Sequence, residues 1–343
     1  MRIAISADSF PPLITGATTH TVELVRWLLH YGHEVLVFAP RFKNFTAKDL
    51  PADLQAAKVI YMRSIPTHYH NARLSVPNSP KIFYYLQKFK PDVVDLQAPS
   101  FQGIDVMTVS KALQIPIAAT FHTLFTSREY LEMIFRIKRV QLLEKSSWSY
   151  HRWFYNSADS VLLSTQKLKE LLIENGISQN KIEQIPILFN FDSATILSTE
   201  EITQKRNELG LKENVALFVG RISKEKALDV LLEAWKIVIA KSPESSLVIV
   251  GDGPYEQKFK HNAEEAGIID SIVFLGRIEN KELLSSGIMS VADVFVSAST
   301  SETFGLTGLE AMAHTLPVIL ADAQGLSEMI TPDIGFVCQP KNP

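Results

Sequence analysis

Short apolar runs alternate with longer helix-like patterns along the entire chain, and this alternation limits the fold more than any other feature of the sequence. After the apolar run at residues 3–6, Val22, Val25, Leu28 and Leu29 recur at helical spacing, and Gly32 ends that helix. Alternation on this scale predicts parallel β-sheets that are covered by helices on both faces. The strands predicted in this way are residues 3–6, 34–39, 59–62, 93–96, 117–120, 160–164, 216–219, 247–250, 272–275, 294–297 and 318–320.

The alternating pattern falls into two series, which are separated by residues 184–192. A chain of 343 residues also exceeds the usual size of a single hydrophobic core. We therefore predict an α/β protein of two Rossmann-like domains, residues 1–185 and 186–343, that face a central cleft. Ligands of such sheets bind beyond the carboxyl ends of the strands, so functional residues are expected in the loops found there.

The composition is that of an ordinary globular protein, with 46% apolar and 21% charged residues. Cys338 is the one cysteine, which excludes an internal disulfide framework and fits a reducing cytosol. No apolar run approaches the ~20 residues that a membrane-spanning helix needs, and the first residues are typical of a β-strand rather than a signal peptide. These observations predict a cytoplasmic protein without a transmembrane segment.

The net charge of −3 conceals a difference between the two halves of the chain. Up to residue 190 there are 21 basic and 15 acidic residues, and beyond it there are 13 basic and 22 acidic residues. The excess of positive charge indicates that the first half faces an anionic partner. Drift in composition between the domains would produce the same asymmetry, so both interpretations stay open.

Residues 301–313 contain two carboxylates, Glu302 and Glu310, on either side of Gly305 and Gly308. The preceding apolar run and the following helical pattern place Glu302 in a loop and Glu310 on the first turns of a helix. Free N–H groups at the start of such a helix attract phosphate, and carboxylates can bind sugar hydroxyls. The segment suits a nucleotide-sugar, but taken alone it is also compatible with an ordinary helix cap.

Arg221 and Lys226 follow the predicted strand at residues 216–219 within a turn. A guanidinium and an ammonium group can neutralise the charge of a leaving diphosphate, although two cations in a loop are also typical of a solvated surface. Gly251 and Gly253 follow the next strand, where they allow a tight turn and the close approach of a ligand. An ordinary turn between a strand and a helix would explain these glycines equally well.

Taken together, the motifs occur in the order and spacing found in one enzyme family. The chain resembles the retaining, metal-independent GT-B glycosyltransferases of the glycogen-synthase-like class, glycosyltransferase family four, over nearly its whole length. The resemblance implies the GT-B fold and transfer of a hexose from a nucleotide-diphosphate sugar. It rests on Glu302 and Glu310 with seven residues between them, Gly220-Arg221 with Lys226, Gly251-Asp252-Gly253-Pro254, Phe274-Leu275-Gly276-Arg277, residues 10–16 leading to His20, Gly32-His33-Glu34-Val35 and Phe121-His122-Thr123.

The same resemblance implies a role for each residue of the site. Glu310 would bind the ribose hydroxyls, and Glu302 would lie beside the transferred sugar. Arg221 and Lys226 would hold the diphosphate as it leaves. His122 would contact the donor sugar, and the alternative for it is a hydrogen-bonded residue at a strand end. The remaining donor-binding residues are Gly16, Gly220, Ile278, Phe304, Gly305, Leu306 and Thr307.

The sequence contains no Asp-x-Asp motif and no His/Cys cluster with the spacing of metal ligands. The resemblance therefore implies a mechanism without a metal or another cofactor, in which protein cations and a helix N-terminus stabilise the leaving diphosphate. Retention would result from front-face attack within an ion pair, with the leaving phosphate helping to deprotonate the acceptor. No side-chain nucleophile is required.

Several stretches most resemble the branch that glycosylates diacylglycerol and related lipids, namely residues 73–77, 91–99, 121–125 and 152–159. Between residues 128 and 155, cations interleave with aromatic residues, which suits an anionic membrane surface, although the aromatic residues could equally belong to the core. We expect the first domain to bind the lipid acceptor and face the membrane, the second to bind the nucleotide-sugar, and the enzyme to be peripheral on the cytoplasmic face. No nucleic-acid-binding motif is present.

Three other functions are compatible with the motifs. The same donor chemistry could serve a soluble acceptor such as an inositol, malate or a sugar phosphate. The fold could also belong to a non-catalytic protein that binds nucleotide-sugars or membranes, although the presence of both carboxylates and both cations argues against it. A GT-B sugar-nucleotide epimerase is the third.

The sequence departs from the family pattern in three places. Lys224 and Ala227 stand where proline and glycine are common in the loop beside the phosphates. Asp95 replaces a frequent histidine at the end of its strand, which leaves the choice of acceptor open. The chain also ends at Pro343, where relatives usually continue into further helices, so the second domain is expected to lack its closing element.

Overall fold

The structure is a computed structural model, and it describes residues 1–13, 15–67, 72–122, 141–186, 194–299, 305–322 and 325–343. The chain divides into two compact units, Met1–Leu188 and Phe189–Pro343. The sequence predicted a boundary between residues 185 and 186. Each unit is described by itself.

The first unit is built on a parallel sheet of seven strands in the order β3-β2-β1-β6-β7-β8-β9. Two short strands, β4 and β5, form a separate antiparallel pair. The strands are β1 Arg2–Ser6, β2 Glu34–Pro40, β3 Lys58–Met62, β4 Ser64–Pro66, β5 Arg73–Ser75, β6 Val93–Leu96, β7 Ile117–Thr120, β8 Ser160–Leu163 and β9 Ile182–Gln184. The order reverses at β1, because the chain extends the sheet from β1 to β3 on one side and from β6 to β9 on the other.

Helices connect these strands, and their ends follow from local side-chain and backbone chemistry. Thr15 caps the first helix by accepting a hydrogen bond from the Thr18 N–H at 3.1 Å. Gly32, with φ of +77°, ends it, and the His33 N–H donates back to the Leu28 carbonyl. The helices of this unit are α1 Gly16–His30, α2 Ser79–Phe89, α3 Phe101–Ala112, α4 Gln141–Ser157 and α5 Gln166–Glu174, with short 3₁₀ turns at Ala47–Asp49, Ala52–Leu54 and Gln179–Lys181.

Both faces of the first sheet are buried. Along β1, Ala4 packs into one hydrophobic cluster, whereas Ile3 and Ile5 pack into the cluster on the opposite face. Phe38 and Val37 of β2 divide in the same way. A parallel sheet covered on both sides reads as a continuous apolar run, which is why these strands were recognisable in the sequence.

The second unit repeats this architecture with a parallel sheet of six strands in the order β12-β11-β10-β13-β14-β15. The strands are β10 Asn214–Val219, β11 Ser245–Val250, β12 Ile272–Gly276, β13 Val294–Ser297, β14 Val318–Ala321 and β15 Gly335–Cys338. The helices are α6 Thr199–Glu208, α7 Leu228–Lys241, α8 Glu256–Glu265, α9 Asn280–Ser285 and α10 Leu306–Ala313, with 3₁₀ turns at Lys224–Lys226, Ile269–Ser271 and Leu326–Met329. The order reverses at β10, so the loops after β10 and β13 diverge and leave room for a ligand.

Every strand predicted from the sequence is present, so the prediction of two parallel α/β sheets is confirmed. The sequence did not predict the pair β4 and β5, the edge strand β9 or the edge strand β15. It also left open whether the aromatic residues before residue 155 are core or surface. In the described part of that segment, Phe154 and Tyr155 are buried in the core, whereas Trp153 is 50% exposed.

Candidate active site

The loops that follow β10, β11 and β12 are joined to one another by backbone hydrogen bonds. The Gly220 N–H donates to the Val250 carbonyl at 3.0 Å, and the Ile222 N–H donates to the Asp252 carbonyl at 2.8 Å. The Gly251 N–H in turn donates to the Gly276 carbonyl at 2.7 Å. These bonds fix the relative positions of three loops at the carboxyl edge of the second sheet. We call this arrangement, residues 220–222, 251–253 and 276, the loop frame.

The loop frame requires glycine at two positions because the chains approach too closely for a side chain. A Cβ atom at residue 251 would lie 1.9 Å from the Gly220 carbonyl oxygen, and one at residue 253 would lie 2.3 Å from the Ile222 carbonyl oxygen. Both neighbours are backbone atoms, which cannot rotate away. The sequence predicted a tight turn and the close approach of a ligand at these glycines. The structure adds that they allow two loops to pack directly on each other.

Arg221 and Lys226 both lie on the loop after β10, as the sequence predicted. Arg221 Nη1 is 3.9 Å from Glu225 Oε1, and the Ser223 hydroxyl donates to the same carboxylate oxygen at 2.6 Å. Lys226 ends the 3₁₀ turn that begins at Lys224, and Ala227 follows it with φ of +50°. Ala227, which stands where the family favours glycine, therefore adopts the left-handed conformation that glycine adopts most readily.

Glu310 lies on α10 with only 3% of its surface exposed. Its Oε1 accepts a hydrogen bond of 2.6 Å from Nδ2 of Asn280, the first residue of α9. Its Oε2 is buried and has no hydrogen-bond partner among the described residues. Burial raises the pKa of Glu310 to about 7, and the hydrogen bond from Asn280 opposes this shift. One carboxylate oxygen is therefore held in place, and the other is available to a hydroxyl donor.

Helix α10 begins at Leu306, directly after Gly305, which has φ of +61°. The Gly308 N–H donates back to the Gly305 carbonyl at 2.9 Å, and Leu306 and Thr307 form the first turn, where N–H groups lack intrahelical acceptors. At the other end of the helix, the ring nitrogens of His314 lie 2.8 Å from the Glu310 carbonyl and 3.1 Å from the Leu284 carbonyl. His314 thereby ties α10 to α9.

Two predicted residues of the site, Glu302 and Phe304, lie outside the described residues. Ile278 packs against the core below the site, two residues after Gly276 of the loop frame. The neighbouring Arg277 pairs with Glu279 at 3.4 Å, and both side chains are about half exposed. The role of Ile278 in binding the donor stays a prediction.

In the first unit, a buried polar network lies at the carboxyl ends of β6 and β7. Thr120 donates to Asp95 Oδ1 at 2.9 Å, and Gln97 Nε2 donates to Asp95 Oδ2. On its other side, Gln97 Oε1 contacts His122 Nε2 and accepts a hydrogen bond of 3.2 Å from Thr21. Asp95, which departs from the family pattern, is thus the group that orients Gln97.

The network fixes the protonation state of His122. A carboxylate only accepts hydrogen bonds, so the amide nitrogen of Gln97 faces Asp95 and its oxygen faces His122. His122 therefore donates from Nε2, and Nδ1 is the nitrogen that can accept. Burial and the ring of His20, whose centroid is 4.5 Å away, hold the pKa of His122 well below its usual value. His122 is consequently a neutral imidazole at physiological pH.

The predicted site residues thus fall into two groups. His122 and Gly16, the first residue of α1, belong to the first unit, and the others belong to the second. Reasoning from the sequence missed Asn280 and Gln97 as partners of site residues. Each is a polar residue at the end of a strand or the start of a helix, but nothing in the sequence links Asn280 to a carboxylate 30 residues away.

An apolar cavity of about 410 Å³ in the second unit contains none of these residues. Its lining includes Leu231 and Trp235 of α7 together with Val294 and Ile319 of the sheet. In the described ranges, no three His, Cys, Asp or Glu side chains are grouped so that they could hold a metal ion. No described helix combines the length and the apolar character needed to cross a membrane.

Residues 14–190 match the family Glycosyltransferase Family 4, and residues 199–343 match Glycosyl transferases group 1. The chain therefore belongs to Glycosyltransferase Family 4, as its motifs predicted. Its fold is similar to that of the Anabaena protein HepE, solved in complex with UDP, with a TM-score of 0.77 at 19% identity over 99% of this chain and 86% of that chain. This similarity confirms the GT-B fold class.

Two similar proteins are glycosyltransferases by name, and the name of one of them describes a glycolipid product. The chain is 29% identical, over 99% of its length, to a sulfoquinovosyl transferase of Arabidopsis thaliana. It is also 29% identical, over 96% of its length, to an alpha-monoglucosyldiacylglycerol synthase of Streptococcus pneumoniae. The chain spans 64% of the length of the plant protein, which is less than two thirds, and 73% of the bacterial one.

Proposed function

We propose that this chain transfers a hexosyl group from a UDP-sugar to a hydroxyl of a lipid acceptor such as diacylglycerol, with retention of the anomeric configuration and without a metal or other cofactor. The observation that carries the proposal is Glu310, a buried carboxylate with one oxygen held by Asn280 and the other unoccupied by any described residue. A buried carboxylate oxygen is costly unless it receives a hydrogen bond. A ribose hydroxyl of the donor supplies one.

The charge of the leaving diphosphate is met by groups of the second unit. Arg221 and Lys226 bring two positive charges to the loop after β10, and the first turn of α10 presents backbone N–H groups. Cations and N–H groups fixed before the reaction stabilise developing charge without reorganisation, each contributing roughly 3–4 kcal/mol in comparable sites. This arrangement lets the protein itself take the part that a divalent cation takes in other transferases.

In this proposal, His122 binds the donor sugar. Its neutral ring, with the proton on Nε2, offers Nδ1 as a hydrogen-bond acceptor for a sugar hydroxyl. The lipid acceptor is supported by the bacterial relative whose name describes a glycolipid product, and UDP by the nucleotide bound to the structural neighbour. A peripheral position on the cytoplasmic membrane face follows from a lipid acceptor and a cytoplasmic donor.

The test is nucleotide release from UDP-glucose, UDP-galactose and GDP-mannose, each with and without liposomes that contain diacylglycerol and an anionic lipid. We expect release that requires both one UDP-sugar and diacylglycerol, in buffer that contains EDTA, and an α-linked product from an α-linked donor. Release that is unaffected by lipid would instead favour a soluble acceptor, and nucleotide binding without turnover would favour a non-catalytic protein.

Two variants separate the leaving-group role from general charge effects. Lys226→Met should reduce kcat by about 100-fold if the ammonium group stabilises the leaving diphosphate. Lys236→Met removes the same charge from the exposed surface of α7, where Lys236 pairs with Glu233 at 2.9 Å, and should leave kcat unchanged. Equal effects of the two substitutions would contradict the assignment of Lys226.

A further inference from the structure

The carboxyl end of β1 carries a carboxylate for which the donor chemistry has no use. Asp8 lies two residues after Ser6, the end of β1. Its Oδ2 accepts a hydrogen bond of 2.7 Å from the Ser100 hydroxyl. Its Oδ1 is buried and has no hydrogen-bond partner in the part of the chain that the structure describes. Because such an oxygen is costly to bury, its position indicates a hydrogen-bond donor other than the described residues, and a bound ligand can supply one.

The neighbouring hydroxyl groups are already engaged elsewhere. Ser100 caps α3, where its oxygen accepts a hydrogen bond of 3.0 Å from the Gly103 N–H while its proton goes to Asp8. Tyr150 of α4 is close enough for the charge of Asp8 to add to the burial that raises its pKa to about 12. The Tyr150 hydroxyl nevertheless donates to the Pro99 carbonyl, at 2.6 Å. Neither residue therefore satisfies Oδ1.

The chemistry of the position selects the kind of ligand. A carboxylate accepts hydrogen bonds and repels anions, so a phosphate or a second carboxylate is disfavoured and a neutral hydroxyl is favoured. Burial raises the pKa of Asp8 to about 6, and Ser100 opposes this shift, so the group is mainly ionised at neutral pH. The carboxyl ends of β1 and β6, where the strand order reverses, are also where ligands of such sheets bind.

We propose that Asp8 Oδ1 accepts a hydrogen bond from the free hydroxyl of a glycerolipid acceptor, in a subsite formed by Asp8, Ser100 and Tyr150. This inference rests on the proposed function, since it identifies the group that holds the acceptor of that reaction. Asp8 binds and orients the hydroxyl, and no proton transfer is assigned to it. The neighbouring helix α4 exposes Trp153, which is suited to the interface between water and lipid.

The test compares two lipids that differ in one hydroxyl, presented in the same detergent micelles without any donor. Dioctanoylglycerol has a free hydroxyl, and in its methyl ether a methyl group replaces the proton of that hydroxyl. The wild-type protein should bind dioctanoylglycerol about 10-fold more tightly, as expected when one hydrogen bond to a charged group is gained. Asp8→Asn replaces the charged acceptor by a neutral amide and should lose most of this preference, while its affinity for UDP stays that of the wild type.

A matched substitution controls for structural damage. The Asp159 carboxylate accepts a hydrogen bond of 2.8 Å from the Ile117 N–H. This contact lies at the amino ends of β7 and β8, whereas Asp8 follows the carboxyl end of β1. Asp159→Asn should lower the melting temperature and keep the preference for the free hydroxyl. Asp8→Asn should not lower the melting temperature at pH 8, because it removes a buried charge. Asp8→Ala serves as a second variant if the asparagine side chain disturbs Ser100.

The outcomes separate this inference from the proposed function. A preference for the free hydroxyl that depends on Asp8, in a protein that fails to turn over any donor, would support the subsite and contradict the transfer reaction. A preference that persists in both Asp8 variants would overturn the inference even if transfer is observed. Equal binding of both lipids by the wild-type protein would also overturn it.

Discussion

The two units have the same architecture, but different groups hold together the carboxyl edges of their sheets: side chains in the first unit and backbone groups in the second. In the first unit, side chains such as Asp95, Gln97 and His122 hydrogen-bond one another in a buried network. In the second unit, backbone groups of Gly220 and Gly251 join the loops. The edge of the first unit therefore depends on the orientation of polar side chains. The edge of the second unit depends on the absence of side-chain atoms at its glycines. The two edges should therefore respond to different substitutions.

The largest effect is expected from adding one methyl group to the loop frame. In Gly251→Ala, the new Cβ would lie 1.9 Å from the Gly220 carbonyl oxygen, so the loops must separate and their backbone hydrogen bonds must break. We expect a loss of more than about 3 kcal/mol in the free energy of unfolding of the second unit. Urea denaturation followed by circular dichroism measures it.

Gly267→Ala is the matched control for this substitution. Gly267 has φ of +67°, and a Cβ there would meet no atom within 4 Å. The cost should therefore be that of the left-handed conformation alone, about 1–2 kcal/mol. Equal losses in the free energy of unfolding for the two variants would contradict this explanation. They would show that the close approach of residue 251 to the Gly220 carbonyl is not the reason that glycine is needed there.

The next effect tests Glu310, which lies on α10. Glu310→Gln keeps the shape of the side chain and removes its charge, so the ribose hydroxyl that is proposed to bind Oε2 loses a charged acceptor. Hydrogen bonds to charged groups contribute about 1.5–3 kcal/mol, and we expect UDP to bind about 10- to 100-fold more weakly by isothermal titration calorimetry. Unchanged affinity would remove Glu310 from the nucleotide site.

The same variant has an expected dependence on pH. The pKa of Glu310 is raised by burial to about 7 from an ordinary value of 4.5, so its ionisation opposes folding. The stability that the protonated group contributes is present below pH 4.5 and is lost as the pH rises through 7. Glutamine does not titrate. Relative to the wild type, Glu310→Gln should therefore gain on the order of 1–3 kcal/mol between pH 5 and pH 8, and a difference independent of pH would contradict the raised pKa.

A smaller effect on stability is expected in the first unit, where orientation matters. Gln97→Ala removes the amide that connects Asp95 with His122, which should cost about 1–2 kcal/mol of stability. Nitrogen-15 chemical shifts of His122 should show the proton on Nε2 in the wild type and a mixture of tautomers in the variant. Gln184→Ala deletes an exposed glutamine of the same unit and should leave both quantities unchanged. A His122 signal that ignores Gln97 would contradict the network.

The smallest effect is a gain in stability. Ala227 adopts φ of +50°, so Ala227→Gly should relieve backbone strain and stabilise the second unit by about 0.5–1 kcal/mol after the greater entropy of an unfolded glycine is counted. Ala234→Gly, inside α7, should instead destabilise by about 0.5–1 kcal/mol. Differential scanning calorimetry measures both, and a loss of stability in Ala227→Gly would mean that the methyl group itself is needed.

The sequence was sufficient for the parts of the fold that are buried on both faces. Strands such as β1 and β10 are recognisable in the sequence as continuous apolar runs, because helices cover both sides of each sheet. The strands that were missed are short or exposed: β4 and β5 have three residues each, and Phe336 of β15 is 70% exposed. Their pairing is decided by neighbours that are distant in sequence, which local patterns do not report.

For the candidate site, the sequence identified residues that bear charge but not the residues that orient them. Glu310 and Arg221 stand in recognisable motifs. Gln97 and Asn280 do not, because their importance comes from the distances to His122 and Glu310 that folding creates. Asp8 was also passed over, since a single aspartate after a strand has an ordinary appearance until the partners of its two oxygens are known.

The bond between the Gly251 N–H and the Gly276 carbonyl holds the loop after β12 in place without using a side chain. A backbone bond does not depend on the identity of the side chains beside it, and the adjacent Arg277 and Glu279 are both about half exposed. Mutations at these two positions can therefore change the surface of the loop without altering its position. A library randomised at residues 277 and 279 should therefore keep most of its members folded, and the proposed function can be tested in it by screening for altered nucleotide preference.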